Sequence, residues 1–257
     1  MTAPVARVPA PRLAYGLVSA RGRRPSNQDF AACCRDPLGG RRGFAAAVAD
    51  GLGGHRGGRE AAETAVRAFL DGYFGAAPHL SPLAAASRAL DAVNGWIAAI
   101  GRRDPRLARM ATTFTAVLVA DGRGHVLHVG DSRAYRLSGG RLDQITSDHV
   151  VDLGEPTLRL RRAIGFDVRV HLDHVALDLA PRDRLLLCTD GLHGALSARR
   201  IAALLAAAPS PLQAARTLRD GALAAGAADN VTLVVLDVLE PAPDFRSDAA
   251  AAAPVGG

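Results

Sequence analysis

The sequence predicts an α+β domain in which sheets and helices form separate layers. Three observations carry this. Strand-like segments follow one another in runs, helix-like segments come in pairs, and the two do not alternate as βαβ units would. With 257 residues, 49% of them hydrophobic, the chain can fill the core of one domain or of two small ones.

Residues 1–12 are rich in Pro and Ala without a period and are expected to be flexible. The folded domain is expected at 13–239, followed by a disordered Ala/Pro-rich tail at 240–257. Within the domain, residues 13–22 (LAYGLVSARG), 28–34 (QDFAACC) and 43–49 (GFAAAVA, after a Gly39-Gly40 turn) read as short strands between turn signals. Residues 59–74 place Ala62, Ala65, Val66, Phe69 and Leu70 at helical spacing, and 81–100 opens on a Ser-Pro cap signal. Segments 113–120 and 125–129 are alternating or β-branched and meet at Asp121-Gly122, a hairpin signal, with 133–137 continuing the sheet. Residues 168–177 and 184–189 add strands, 197–208 and 211–225 read as helices, and 231–238 (VTLVVLDV) closes as a strand. There is no internal repeat.

Composition removes several function classes. All 31 basic residues are Arg, so no Lys is present to serve a P-loop, a protein-kinase site or a Schiff-base enzyme. The net charge of +6 raises nucleic acid as a partner, but the arginines are scattered and aromatics make up only 4%, so none is expected. Cys33, Cys34 and Cys188 have neither disulfide-framework nor CxxC zinc spacing, which points to a reducing cytoplasm. Cys188 is expected to pack within its strand. Neither a signal segment nor a membrane span is legible, so a soluble, cytoplasmic monomer is expected.

Four aspartates sit at strand edges beside residues that permit tight turns: Asp50-Gly51, Gly130-Asp131, Asp190-Gly191 and Asp229-Asn230. Plain hairpins are the competing reading. Asp121-Gly122 is an internal control, because strands flank it on both sides; Asp50, by contrast, leads through glycines to a helix, Asp190 ends LLLCT before a loop and helix, and Asp229 precedes the last strand. These positions suit convergence on one rim of a sheet. Carboxylates without His or Cys at ligand spacing make an all-oxygen site, which favours Mg²⁺ or Mn²⁺ over zinc. Two such ions roughly 3.5–4 Å apart can hold a hydroxide between them and stabilise in-line displacement at phosphorus. His171-x-x-His174, in an expected strand, would point to opposite faces and reads as surface histidine. The run from Gly51 to Gly58 fails dinucleotide spacing, since Arg56 stands where Gly is required; it suits backbone that must approach an ion or phosphate closely.

The motifs resemble those of the metal-dependent protein phosphatases, or type 2C serine/threonine phosphatases, bacterial type with a short flap. They run in family order: Arg24-Pro-Ser-Asn-Gln-Asp29, Val48-Ala-Asp-Gly-Leu-Gly-Gly-His55, Ala111-Thr-Thr-Phe114, Gly130-Asp-Ser-Arg-Ala-Tyr135, Thr146-Ser-Asp-His149, Arg162-Ala-Ile-Gly165, Leu187-Cys-Thr-Asp-Gly-Leu192 and Asp229-Asn-Val-Thr232. The resemblance implies a four-layer α/β/β/α sandwich of two antiparallel sheets flanked by helix pairs. It also implies hydrolysis of phosphoserine and phosphothreonine by a metal-bridging hydroxide, opposing a bacterial kinase.

Carried over by residue, Asp50 resembles the carboxylate shared by two Mn²⁺ or Mg²⁺ ions and Gly51 the carbonyl ligand of one. Asp190 and Asp229 resemble the remaining ligands of the second ion. Asp29 resembles the residue that holds metal-bound waters, and Asp131 the partner of Asp190 for a third, weaker ion. Arg24 matches the phosphate clamp, whose bidentate fork Lys would not reproduce. Arg133 and Asp148 are expected to be a supporting ion pair.

Three departures stand out. Gln28 replaces a frequent Glu, Leu52 cannot serve as the general acid that a His provides in some members, and only the thirteen residues 150–162 form the flap segment. A catalytically silent phosphoprotein-binding relative and a two-metal hydrolase of small phosphate esters remain alternatives.

Overall fold

The computed structural model describes residues 12–52, 55–104, 107, 110–152, 154 and 159–239. The expected lead-in, apart from Arg12, and the expected tail lie outside these residues. The N-terminal half contains β1 (Arg12–Ala20), β2 (Asp29–Arg35), β3 (Phe44–Leu52), α1 (His55–Phe74), α2 (Pro82–Arg103), β4 (Ala111–Thr112), β5 (Phe114–Ala120) and β6 (Arg123–Val129). The second half contains β7 (Arg133–Ser138), β8 (Arg141–Gln144), β9 (Val150–Val151), β10 (Arg159–Leu160), β11 (Asp173–Leu177), β12 (Arg184–Cys188), α3 (Asp190–His193), α4 (Ala198–Ala207), α5 (Pro211–Ala224) and β13 (Val231–Leu239).

The strands form two antiparallel sheets. One has the order β1-β13-β12-β7-β8; the other runs β11-β6-β5-β3-β2, with β4 paired to the end of β3. Each sheet is covered on both faces, so its central strands are apolar throughout instead of alternating with polar residues. On β3, Ala45, Ala47 and Ala49 face α1 and α2, where Phe69, Tyr73 and Phe114 are fully buried. Phe44, Ala46 and Val48 point the other way and meet Leu185, Leu187, Val234 and Leu236 between the sheets. On β12, Leu186 and Cys188 turn outward to a third cluster with Leu192, Ile201, Leu205 and Leu218. Cys188 is fully buried there, as its strand position implied. The period-two side-chain geometry of strands thus divides the core into three clusters.

Local signals set the boundaries. Ser81, Ser197 and Ser210 accept hydrogen bonds from Ala84, Arg200 and Gln213 amides, capping α2, α4 and α5. Asp121 and Gly122 have φ values of 49° and 78°, the paired positive angles of a type I′ hairpin between β5 and β6.

Four features depart from the sequence reading. β8 follows a second such turn at Gly139-Gly140, β9 and β10 form a short hairpin, and Asp190 opens α3 directly with no loop before it. The strand expected at 168–177 begins only at Asp173. Asn94 on α2 explains this, since its Nδ2 takes the Asp167 and Val168 carbonyls at 3.0 and 3.2 Å and Oδ1 receives the Gly165 amide at 2.8 Å. Those carbonyls serve a helix side chain, not a ladder. Among the described residues no helix is long and apolar enough to cross a membrane.

Candidate active site

The start of β2, the end of β3, the end of β12 and the start of β13 lie at the same end of the two sheets, and the aspartates flagged in the sequence meet there. Asp50 is near the end of β3. Its amide donates to Thr113 Oγ1 at 2.9 Å, and its carbonyl receives Thr112 Oγ1 at 2.8 Å and the Thr113 amide at 2.9 Å. Both backbone groups are therefore anchored, which fixes where the carboxylate stands in the cleft. Gly51 follows in close-packed backbone: a Cβ there would stand 1.9 Å from the Gly58 carbonyl oxygen and 2.8 Å from that of Gln28, so only glycine fits.

Asp29 lies buried beneath the rim at the start of β2, with Oδ2 accepting from Thr189 Oγ1 at 2.8 Å. Asp190 is the first residue of α3, and Asp229 immediately precedes Asn230 and β13. Asn230 pins the loop that carries Arg24: Oδ1 accepts from the Gln28 amide at 2.7 Å, while Nδ2 donates to the Arg21 and Ser26 carbonyls at 2.7 and 2.9 Å. Arg24 then reaches Asp229 Oδ2 at 2.6 Å. A cleft of 460 Å³ is lined by Arg24, Asp50, Gly51, Asp131, Asp190 and Asp229, together with Gln28, Leu52 and Leu160 from the β9–β10 hairpin. The short segment 150–162 therefore does reach the site.

The electrostatics of this cleft are those of crowded, buried acids. Burial, and then repulsion from neighbouring carboxylates, raises Asp29 and Asp131 to about 7. Asp50 and Asp190 are raised for the same first reason, with Asp29 the leading charged neighbour of Asp50 and Asp229 that of Asp190. Arg24 is shifted upward by its hydrogen bond to Asp229 and by the charges of Asp229, Asp190 and Asp50. Asp29 Oδ1 and Asp190 Oδ1 are buried with no hydrogen-bond partner. Buried carboxylate oxygens without donors are costly unless a cation meets them.

The donor set is all oxygen, so these residues fit Mg²⁺ or Mn²⁺. Among the described residues, no three acidic, His or Cys side chains close on a single point. The fit is therefore that of a hard ion held by few carboxylates, a backbone carbonyl and waters; in this structure Asp229 is paired with Arg24.

The supporting residues are also placed. Arg133 grips Asp148 with three contacts of 2.7, 2.9 and 3.1 Å, the ion pair read from the sequence. His171 and His174 are exposed; only His174 lies in β11, where it meets His125 at 3.1 Å, away from the cleft. Thr113, Thr189, Asn230 and His149 stand in the quoted motifs but sequence reading gave them no role, and it did not single out His193; the two histidines hold the backbone around Asp131.

The profile of the family described as protein phosphatase 2C matches residues 19–225. The chain belongs to that family. It is 37% identical over 174 residues to the serine/threonine protein phosphatase PstP of Mycobacterium tuberculosis, a match spanning 62% of this chain but only 33% of that protein's length. The catalytic domain of PstP in complex with two manganese ions superposes with a TM-score of 0.74 and 35% identity, covering 89% of this chain and 99% of the other. The serine/threonine phosphatase of S. agalactiae superposes with a TM-score of 0.79 and 26% identity, covering 88% and 100%.

Proposed function

We propose that this chain, a four-layer α/β/β/α sandwich, is a metal-dependent serine/threonine protein phosphatase whose domain spans residues 13–239. The observation that carries the reading is the gathering of Asp50, Asp131, Asp190 and Asp229 around one cleft, with the Arg24 guanidinium among them and Asp29 buried beneath. Asp50 is assigned to both ions, the Gly51 carbonyl to one, and Asp190 and Asp229 to the second. Asp29 would hold water beneath them, and Asp131 with Asp190 would hold a third, weaker ion. When bound, Mn²⁺ or Mg²⁺ supplies Lewis acidity toward the phosphoryl oxygens and acidifies water to furnish the nucleophile.

The chain's own residues do the rest. Arg24 offers a planar fork that takes two phosphoryl oxygens and orients the ester in line with the incoming oxygen. Asn230 keeps that fork aimed by holding the Arg21–Gln28 loop through three hydrogen bonds. Leu52 and Leu160 give the cleft an apolar edge and supply no proton, so the proton for the leaving oxygen comes from another group or water in the cleft.

The substrates are phosphorylated proteins made by a cognate serine/threonine kinase, and the setting is cytoplasmic, without nucleic-acid or membrane partners. A silent phosphoprotein-binding relative would have no need of the full carboxylate set. Phosphate release from phosphoserine and phosphothreonine peptides, beside binding of the same peptides, separates the two. Binding without release in saturating Mn²⁺ would leave the silent reading.

A further inference from the structure

Two histidines, one in the loop before β9 and one ending α3, hold the peptide that carries Asp131. The Gly130 amide donates to His149 Nδ1 at 3.1 Å, and the His149 amide donates to the Gly130 carbonyl at 2.7 Å. From the other side, His193 Nε2 donates to the Asp131 carbonyl at 3.0 Å. The ring protons follow from these partners: a backbone N–H only donates, so His149 Nδ1 is bare and its Nε2 proton faces Asp173 Oδ2 at 3.0 Å. A carbonyl only accepts, so His193 carries its proton on Nε2. Gly130 has φ +112°, and a Cβ there would stand 2.6 Å from Thr113 Cβ, so the strand wall closes against it.

Among the described residues the Asp131 carboxylate receives no side-chain hydrogen bond. Its place is therefore set by its main chain, and the main chain is set by the two imidazoles. His193 is the last residue of α3, the helix that Asp190 begins. Its ring thus ties the Asp131 peptide to the element that carries Asp190.

We propose that His193, with His149 as the opposing clamp, is a positioning residue that sets the separation of the Asp131 and Asp190 carboxylates and so the affinity of the weakest cation site in the cleft. The proposal rests on the phosphatase reading's assignment of those two aspartates. Partners that orient ligands without touching the ion typically cost about 10–100-fold in metal affinity or activity when removed.

The test is calorimetric titration of the full chain with Mn²⁺ in wild type, His193→Phe and His193→Gln, with melting temperatures in EDTA alongside. Phe fills the space without a donor, whereas the Gln amide places N–H near the position of Nε2. The expected result is a loss of roughly ten-fold or more at the weakest Mn²⁺ site in His193→Phe, most of it restored in His193→Gln, at unchanged melting temperature. Full affinity in His193→Phe, or equal loss in both variants, overturns the proposal. If His193→Phe does not fold, His193→Asn, whose donor falls short, takes its place under the same two outcomes. A wild-type protein that binds Mn²⁺ but releases no phosphate overturns the phosphatase reading and leaves the positioning claim to the titration; one that binds no Mn²⁺ overturns both.

Discussion

Asp29 and Asp50 are registered directly opposite one another, at the start of β2 and near the end of β3. Opposed residues in an antiparallel ladder project to the same face, and like charges in that position destabilise the pair. The rest of the ladder runs through Ala, Cys, Val and Phe to Arg35 at its far end and holds no further carboxylate, so the repulsion is confined to its rim. A cation bound there would relieve what the fold alone leaves unfavourable. Stability without metal and activity with metal should therefore move in opposite directions.

Asp50→Asn and Asp190→Asn test this opposition. Each should lower phosphopeptide turnover by at least about 100-fold, more than the loss of an outer-shell partner produces. Each should also raise the melting temperature in EDTA, since a gain of ~1 kcal/mol moves a domain of this size by roughly 2–4 °C. Scanning calorimetry in chelator together with an assay in Mn²⁺ reads both, and a variant that melts lower in EDTA contradicts the electrostatic account.

Melting in EDTA should also depend on pH, with a definite sign. Asp29 and Asp131 titrate at about 7 when folded, against an ordinary value near 4, so the folded state holds protons that the unfolded state has lost. Stability therefore falls as pH rises toward and through about 7. Below about 6.5 the depressed His128, His125 and His193 oppose the trend, because their folded forms resist protonation. Between about pH 6.5 and 8 the carboxylates act alone, and the midpoint in EDTA should decline. With Mn²⁺ present the decline should vanish or reverse, as ligation requires the ionised form.

Most of the fold was legible because periodicity reports burial. β3 and β12 read as strands from apolar runs bounded by turns, and the Ser-capped helices α2, α4 and α5 begin where their caps stand. The hairpin β9–β10 was not legible, since two-residue strands carry no period. The false start of β11 came from the apolar residues at Val168 and Val170, where the Asp167 and Val168 carbonyls are claimed by Asn94 across the sequence. The aspartates of the cleft were visible as Asp beside small residues, but the roles of His149, quoted only as part of a motif, and of His193 were not. They act through main-chain atoms, and no spacing rule marks a residue that holds another residue's peptide.

Arg24 should separate charge from geometry. Arg24→Ala is expected to raise KM for phosphopeptides roughly ten-fold or more, the range of a lost charged hydrogen bond, with Arg24→Lys between it and wild type. Steady-state kinetics on one phosphothreonine peptide decides it. Equal KM in all three proteins removes Arg24 from phosphate binding.

The proton for the leaving seryl or threonyl oxygen has no side-chain source at Leu52. If water in the region of Asp131 and Asp190 supplies it, Asp131→Ala should slow phosphoserine peptide far more than p-nitrophenyl phosphate, whose leaving group barely needs protonation. General acid catalysis contributes about 10²–10⁴-fold, which sets the scale of the difference. Equal losses on both substrates would assign Asp131 to general support of the site.

The most direct test of the central claim is a Mn²⁺ titration of phosphate release from a phosphothreonine peptide, run on chelated wild-type protein and on Asp50→Asn. The account predicts no turnover in EDTA, a saturable return with Mn²⁺ in wild type, and none in the variant at any concentration. Undiminished turnover in EDTA, or equal rates in the two proteins, would contradict it.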